Sequence, residues 1–399
     1  MGFLGSARKL VRVRNVAVTL VTTPLIGFAG YFLRWYLPIR VKDVEGIVAV
    51  GLLYSVGRAL SLILRPLAGS LMDIKGRKPF AILGALAYAL VAIFLLSNYL
   101  VPAAVIMMFV AISLISNSAA LLMLEPVGRG ERGVAMSLAL MMRGLGSLVG
   151  TLTIPVILTI YGKLPAVTVA SLAFIVAALG RLAYVETKPE RSKALTSVGS
   201  VIKGMVSNLR RGFKVLFIGE VVYLTTFSVL TSFGSELIAR YLPIYLNTAL
   251  KYGVVVIGSF YAIMQACMIA SRPLAGALSK LVSYSWIVIL PTCVSGAVLI
   301  GLALTNSPYV VIALFILLSL SEGMANVAIP PLTINTIEKY SRNKATVMNT
   351  QQSLSSLVAL TAPIIGALIW LKSPSTLLII AGSIIIASGL ALTPLLISK

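Results

Sequence analysis

Runs of about 20 predominantly apolar residues follow one another along almost the entire chain, separated by short polar turns. Each run has the length a helix needs to cross a hydrocarbon core about 30 Å thick. No extended polar domain interrupts them. Only 11% of residues are charged and 59% are hydrophobic, whereas a soluble domain carries about 25% charged residues. The chain is therefore expected to be an all-α polytopic membrane protein. Hydropathy places twelve transmembrane helices at about 15–38, 45–72, 79–98, 102–124, 134–161, 165–185, 215–246, 253–279, 286–304, 309–336, 345–371 and 375–397.

The formal charge of +22 could point to nucleic acid, but its distribution argues against that partner. With spans alternating sides, 21 Lys and Arg residues fall on the side of the N-terminal tail, five on the other, and seven inside spans. This is the positive-inside bias, which implies a cytoplasmic membrane location with both termini in the cytoplasm. No basic domain interleaved with aromatics is present to hold nucleic acid. Cys267 and Cys293 both lie in apolar runs and histidine is absent. No metal site, cofactor or imidazole chemistry is expected. Met1-Gly-Phe-Leu-Gly-Ser6 fits a myristoylation pattern, but a polytopic chain needs no lipid anchor. The first apolar run is too long for a signal peptide and shows no small-residue cleavage site.

The chain also repeats itself. Arg65-Pro-Leu-Ala-Gly69 returns as Arg272-Pro-Leu-Ala-Gly276, 207 residues later. Tyr36-Leu-Pro-Ile39 ending span 1 matches Tyr241-Leu-Pro-Ile244 ending span 7, and Leu145-Gly-Ser-Leu-Val149 answers Leu354-Ser-Ser-Leu-Val358. Asn117 in span 4 answers Asn326 in span 10. Six spans repeated in the same orientation form the parallel repeat of certain secondary transporters. The expected organisation is a tail at 1–14, a six-helix bundle at 15–185, a basic linker at 186–214 and a second bundle at 215–399.

Between spans 2 and 3 stands Gly69-Ser-Leu-Met-Asp73-Ile-Lys75-Gly76-Arg77-Lys78. With twelve spans and a basic central loop, this motif resembles the major facilitator superfamily along essentially the whole chain. The usual basic residue after the aspartate is Ile74 here, and the second copy has decayed to Gly276-Ala-Leu-Ser-Lys280. The resemblance implies two bundles around a central cavity. It also implies that Asp73 latches them through the start of span 11, near Lys344, with Arg77 completing the charge cluster. Asp73 has the alternative of a purely structural role, and Arg77 and Lys78 that of topology determinants. Gly69 and Gly76 would let helices approach closely. The arginine many drug exporters carry in span 4 has no match between Ser113 and Ala120.

Ionisable residues inside a bilayer are costly, so they face a partner or a hydrated cavity. Thr19, Thr23, Gly27, Gly30 and Arg34 share one face of span 1, and Thr225, Ser228, Ser232 and Glu236 one face of span 7. In the superfamily both helices line the cavity. Arg34 and Glu236 are therefore candidates for an ion pair closing the extracellular mouth, unless Arg34 snorkels to headgroups. Arg58 and Arg143 lie within spans 2 and 5, and Gln352 is set against Arg143 by the repeat. Gly146 and Gly150 form a GxxxG that serves helix packing. Ser319, Glu322 and Asn326 share a face of span 10, with Glu322 near mid-membrane. A buried carboxylate beside arginine can take up and release a proton, which makes Glu322 the coupling candidate; a structural salt bridge to Arg143 or Arg58 is its alternative.

Secondary transport by alternating access is the expected function. The central charges Arg58 and Arg143 against Glu322 favour a small anionic or zwitterionic solute, with the proton as coupling ion. Export of amphipathic drugs against protons is the second reading; a membrane sensor, flippase or intramembrane enzyme is a remote one. No GxxxxGK[ST] loop and no nucleophile–base pair occurs. Besides solute and ion, only membrane lipids are expected as partners, and nothing demands more than a monomer.

Overall fold

The computed structural model describes residues 9–128, 131–187, 215–279, 281–340 and 344–397. Among them every regular element is helical. In hydrocarbon a backbone N–H or C=O has no water to bond, so a segment that satisfies its own groups is the economical solution. The helices are α1 (Arg14–Glu45), α2 (Ile47–Lys75), α3 (Lys78–Phe94), α4 (Val101–Leu124), α5 (Arg132–Tyr161) and α6 (Lys163–Arg181). They continue as α7 (Val221–Ala239), α8 (Tyr241–Thr248), α9 (Val254–Leu278), α10 (Tyr284–Leu304), α11 (Pro308–Glu338), α12 (Lys344–Ala359), α13 (Ala362–Lys372) and α14 (Pro374–Leu390). Eleven segments among the described residues are long and apolar enough to span a membrane; α3, with 17 residues, is a shorter apolar helix.

Spans 7 and 11 differ from the single helices expected. The first breaks at Arg240 into α7 and α8, the second at Leu360–Thr361 into α12 and α13. Pro243 and Pro363 lie just past the breaks and contribute to them, since proline cannot donate to the carbonyl four residues back.

The chain forms two compact units. Unit 1 comprises residues 1–44, 56–201 and 253–262; unit 2 comprises 45–55, 202–252 and 263–399. Each unit thus takes in the first turns of a helix from the other half of the sequence. The exchanged segments are themselves repeats, since 46–55 shifted by 207 gives 253–262. Most of the linker expected at 186–214 lies outside the described residues.

In unit 1 the interior is filled by aromatic and small side chains. Tyr88 of α3 stacks on Phe174 of α6 with ring centres 5.1 Å apart. Trp35 of α1 stacks on Tyr261 of α9 at 5.7 Å. Helices α1 and α5 approach closely. A Cβ on Gly146 would run into the Pro24 carbonyl, one on Gly150 into that of Phe28, and one on Gly27 into that of Arg143. The GxxxG of α5 is therefore a packing seam. In unit 2, Gly296 of α10 and Gly382 of α14 face each other, each leaving room only for the other's carbonyl. Leu224, Phe227, Ile287, Val288, Leu332 and Leu392 fill the interior beside them.

The α1–α5 seam yields a prediction. Gly150→Ala places a methyl against the Phe28 carbonyl, and overpacking of this kind costs about 1–3 kcal/mol. The thermal unfolding midpoint in detergent should fall clearly below that of the parent. An unchanged midpoint would mean that the two backbones are not in contact.

Candidate functional site

The loop between α2 and α3 is the best-defined polar cluster of unit 1. Gly76 ends α2 with φ +94°, a conformation that residues with a Cβ rarely adopt. A Cβ there would also come within 2.5 Å of the Glu186 carboxylate. That carboxylate accepts hydrogen bonds from the N–H groups of Arg77 at 2.8 Å and Lys78 at 2.9 Å. Glu186 therefore caps the positive N-terminus of α3, where a negative charge is favoured. The Arg77 side chain is buried and forms an ion pair with Glu125, the residue that follows α4.

This arrangement corrects one expectation. Gly76 is required by its backbone angle and by the approach of a carboxylate, not by helix–helix packing. Gly69 shows no described atom within 4 Å of the position a Cβ would take, so no close contact explains it either. Asp73 lies in α2, but its side chain, like those of Lys344 and Ala345, falls outside the described residues.

The segment after α6 is sewn beneath the same end of unit 1. Asn15 donates to the carbonyls of Leu122 and Val185, both at 2.9 Å, and accepts from the Val185 N–H at 2.8 Å. The Thr19 and Tyr184 hydroxyls are 2.9 Å apart, and Arg14 donates to the Ala183 carbonyl. Lys9 reaches Glu131 at 3.1 Å. Sequence reading missed Glu125 and Glu186. Their signal was present: each is an acid placed where an apolar run ends, on the side crowded with basic residues.

The polar face expected on span 1 is largely used for packing. Thr19 is buried against Tyr184, Gly27 lies on α5, and only Arg34 at its far end is exposed. The face of span 7 behaves similarly. Thr225 bonds its own helix, and Ser228 accepts from Gln351 of α12 at 2.7 Å. Glu236 lies 3.8 Å from Arg240, which is itself stacked over the Tyr54 ring at 4.7 Å. Tyr241 donates to the Pro363 carbonyl, so the breaks of spans 7 and 11 meet.

The remaining candidates divide between the units. Arg58, half-buried, and Arg143, exposed, belong to unit 1; Glu322, half-buried, and Asn326 and Gln352, both exposed, belong to unit 2. Gln352 has a neighbour that sequence reading passed over. Gln351 is buried and clamps α12 to α7 through the Leu224 carbonyl at 2.9 Å and Ser228. Ser61 on the Arg58 face is also structural, 2.9 Å from the Ser113 hydroxyl of α4.

Long apolar helices in two units define a multi-pass membrane protein. Residues 19–363 match the family model of the Major Facilitator Superfamily, and the chain belongs to that family. Its fold is similar to the crystal structure of a POT family transporter in complex with thioalcohol conjugated peptide: TM-score 0.71, 13% identity, 96% of each chain covered. It is also similar to a POT family transporter in complex with 5-aminolevulinic acid: TM-score 0.73, 13% identity, 96% of each chain covered. No curated protein matches the sequence.

The ion pair at the loop is open to test. Glu125→Gln removes the carboxylate from a buried guanidinium, and a hydrogen bond to a charged group contributes about 1.5–3 kcal/mol. Chemical unfolding in detergent should show a loss of that order for Glu125→Gln, and a much smaller one for Glu131→Gln at the exposed Lys9 pair. Equal effects of the two would show that burial of Arg77 adds nothing.

Proposed function

We propose that the protein is a secondary active transporter that moves a small anionic or zwitterionic solute across the cytoplasmic membrane by alternating access. The observation that carries this reading is the charge inside the spans. Arg34, Arg58, Arg65, Arg143, Arg181, Arg240 and Arg272 lie there, against Glu236 and Glu322 within the spans and Glu45 and Glu220 at span ends. An arginine keeps its charge throughout the physiological range, so a hydrated path lined by these residues attracts anions and repels cations. The complexes formed by the two fold neighbours, with a conjugated peptide and with an amino acid, belong to the same charge class.

Arg58, Arg143, Asn326 and Gln352 contact the solute in this reading, and Glu322 couples its movement to a proton. Asp73, with Gly69, Gly76 and Arg77, latches the end held by Glu125 and Glu186. Arg34 and Glu236 close the opposite mouth, with Arg240 holding Glu236 from its own helix. The basic turns set both termini in the cytoplasm, and a monomer suffices for the cycle.

Uptake of radiolabelled carboxylate and amino-acid solutes into proteoliposomes, with and without a pH gradient, tests the proposal. The parent should accumulate solute under the gradient. Glu322→Gln should lose gradient-driven accumulation yet retain solute exchange at equal pH. Undiminished accumulation by Glu322→Gln rejects the coupling role, and transport confined to lipophilic cations rejects the charge reading.

A further inference from the structure

We propose that the first turns of α2 are a releasable clasp at the mouth assigned to Glu236, while the first turns of α9 stay fastened. The inference rests on the reading of alternating access and names the segment that moves. Each of these helices begins in one unit and continues in the other: α2 crosses after Ser55 and α9 after Ala262. The match that sets Arg65 on Arg272 also sets Gly51, Tyr54 and Ser55 on Gly258, Tyr261 and Ala262. The match that sets Tyr36 on Tyr241 sets Tyr31 on Glu236 and Trp35 on Arg240.

Both arms are seated in the same way. A Cβ on Gly51 would run into the Pro363 carbonyl of α13, and one on Gly258 into the Thr151 carbonyl of α5. Further along, each arm presents a buried tyrosine to the equivalent position of span 1 or span 7. The chemistry met there differs. Tyr261 lies flat on Trp35, with ring planes 5° apart, and the Tyr31 ring stands edge-on to it, centres 6.1 Å apart. Tyr54 instead takes the Arg240 guanidinium on its face at 4.7 Å, and the Glu236 carboxylate lies 3.8 Å from that guanidinium. An aromatic triad on one arm thus corresponds, residue for residue, to an ionic triad on the other.

This difference sets the cost of opening. Water admitted between Tyr261 and Trp35 uncovers two large apolar faces and solvates no charge in return. Water admitted between Tyr54 and Arg240 uncovers one ring but rehydrates a guanidinium and a carboxylate, whose desolvation was costly. A cation over a ring is held most strongly when dry, so the contact weakens as water enters and release reinforces itself. With the glycine seats alike, the arm of α2 is the one that leaves. A purely structural role for both triads makes a different demand: equally buried arms are then equally protected.

The test compares two matched reporters. Ser55 and Ala262 are 3% and 4% exposed, and the Ser55 hydroxyl makes no hydrogen bond among the described residues that cysteine would lose. Ser55→Cys and Ala262→Cys are made separately in a chain carrying Cys267→Ser and Cys293→Ser. Alkylation by a maleimide is followed in the full-length protein in neutral detergent, each rate divided by that of the same thiol in the denatured chain. Ser55→Cys should react clearly faster than Ala262→Cys. Arg240→Gln or Tyr54→Leu should raise the Ser55→Cys rate about tenfold further, as loss of a desolvated cation–π contact implies, and leave the Ala262→Cys rate unchanged. Tyr54→Phe keeps the ring and should leave both rates at the parent values. Glu236→Tyr with Arg240→Trp, which copies the aromatic triad onto the second arm, should slow Ser55→Cys to the Ala262→Cys rate. Equal rates of the two reporters, or no response of Ser55→Cys to Arg240→Gln, overturns the proposal. If Arg240→Gln does not fold, equal Ser55→Cys rates in Tyr54→Leu and Tyr54→Phe overturn it instead. Alkylation needs neither solute nor gradient, so a failed transport assay rejects the proposed function and leaves the clasp standing.

Discussion

Hydrocarbon offers neither hydrogen bonds nor counterions, and every feature of this chain follows from how it meets that condition. The backbone meets it by helix formation, which makes each span self-sufficient. Helices then gain nothing by hiding apolar surface from lipid, which is already apolar. They associate by close approach and by polar contacts between segments. That explains why the tightest contacts run through glycines such as Gly146, Gly150, Gly296 and Gly382, where backbone meets backbone. It also explains why buried polar side chains act as staples. Asn15, Gln351 and the Ser61–Ser113 pair each join two segments by hydrogen bonds.

The same condition decides how much was legible beforehand. Spans are visible because an apolar run of the right length has one structural outcome, and the duplication is visible because Arg65-Pro-Leu-Ala-Gly69 and its twin survive in sequence. The GxxxG of α5 was legible for the same reason, since small residues at that spacing have few uses in lipid. Side-chain pairings were not legible. Thr19 and Gly27 share the face that carries Arg34, and period alone cannot say which members pack against α5 or α6 and which meet water. Glu125 and Glu186 were hidden because their partners lie far off in sequence, with 48 and 109 residues separating them from Arg77.

Proline shows a further limit. Pro24, Pro38, Pro155, Pro291, Pro330 and Pro331 all sit within unbroken helices. Pro243 and Pro363 accompany breaks. Residue type does not separate the two groups, but surroundings do. At the breaks, the Pro363 carbonyl is taken by the Tyr241 hydroxyl, and Arg240 is held by Tyr54 and Glu236. Side chains from other segments thus meet the chain at both breaks.

The two halves share a plan but not a charge. Span 2 carries Arg58 where span 8 has Gln265, and span 5 carries Arg143 where span 11 has Gln352. Span 10 carries Glu322; the offset that pairs Asn117 with Asn326 sets it against Ser113, a buried hydroxyl bonded to Ser61. Packing alone would be served by the neutral member of each pair, as Ser113 demonstrates. Arg58 and Arg143 of the first half and the interior acid Glu322 of the second divide the work of the proposed cycle: the arginines hold the anion, the acid carries the proton.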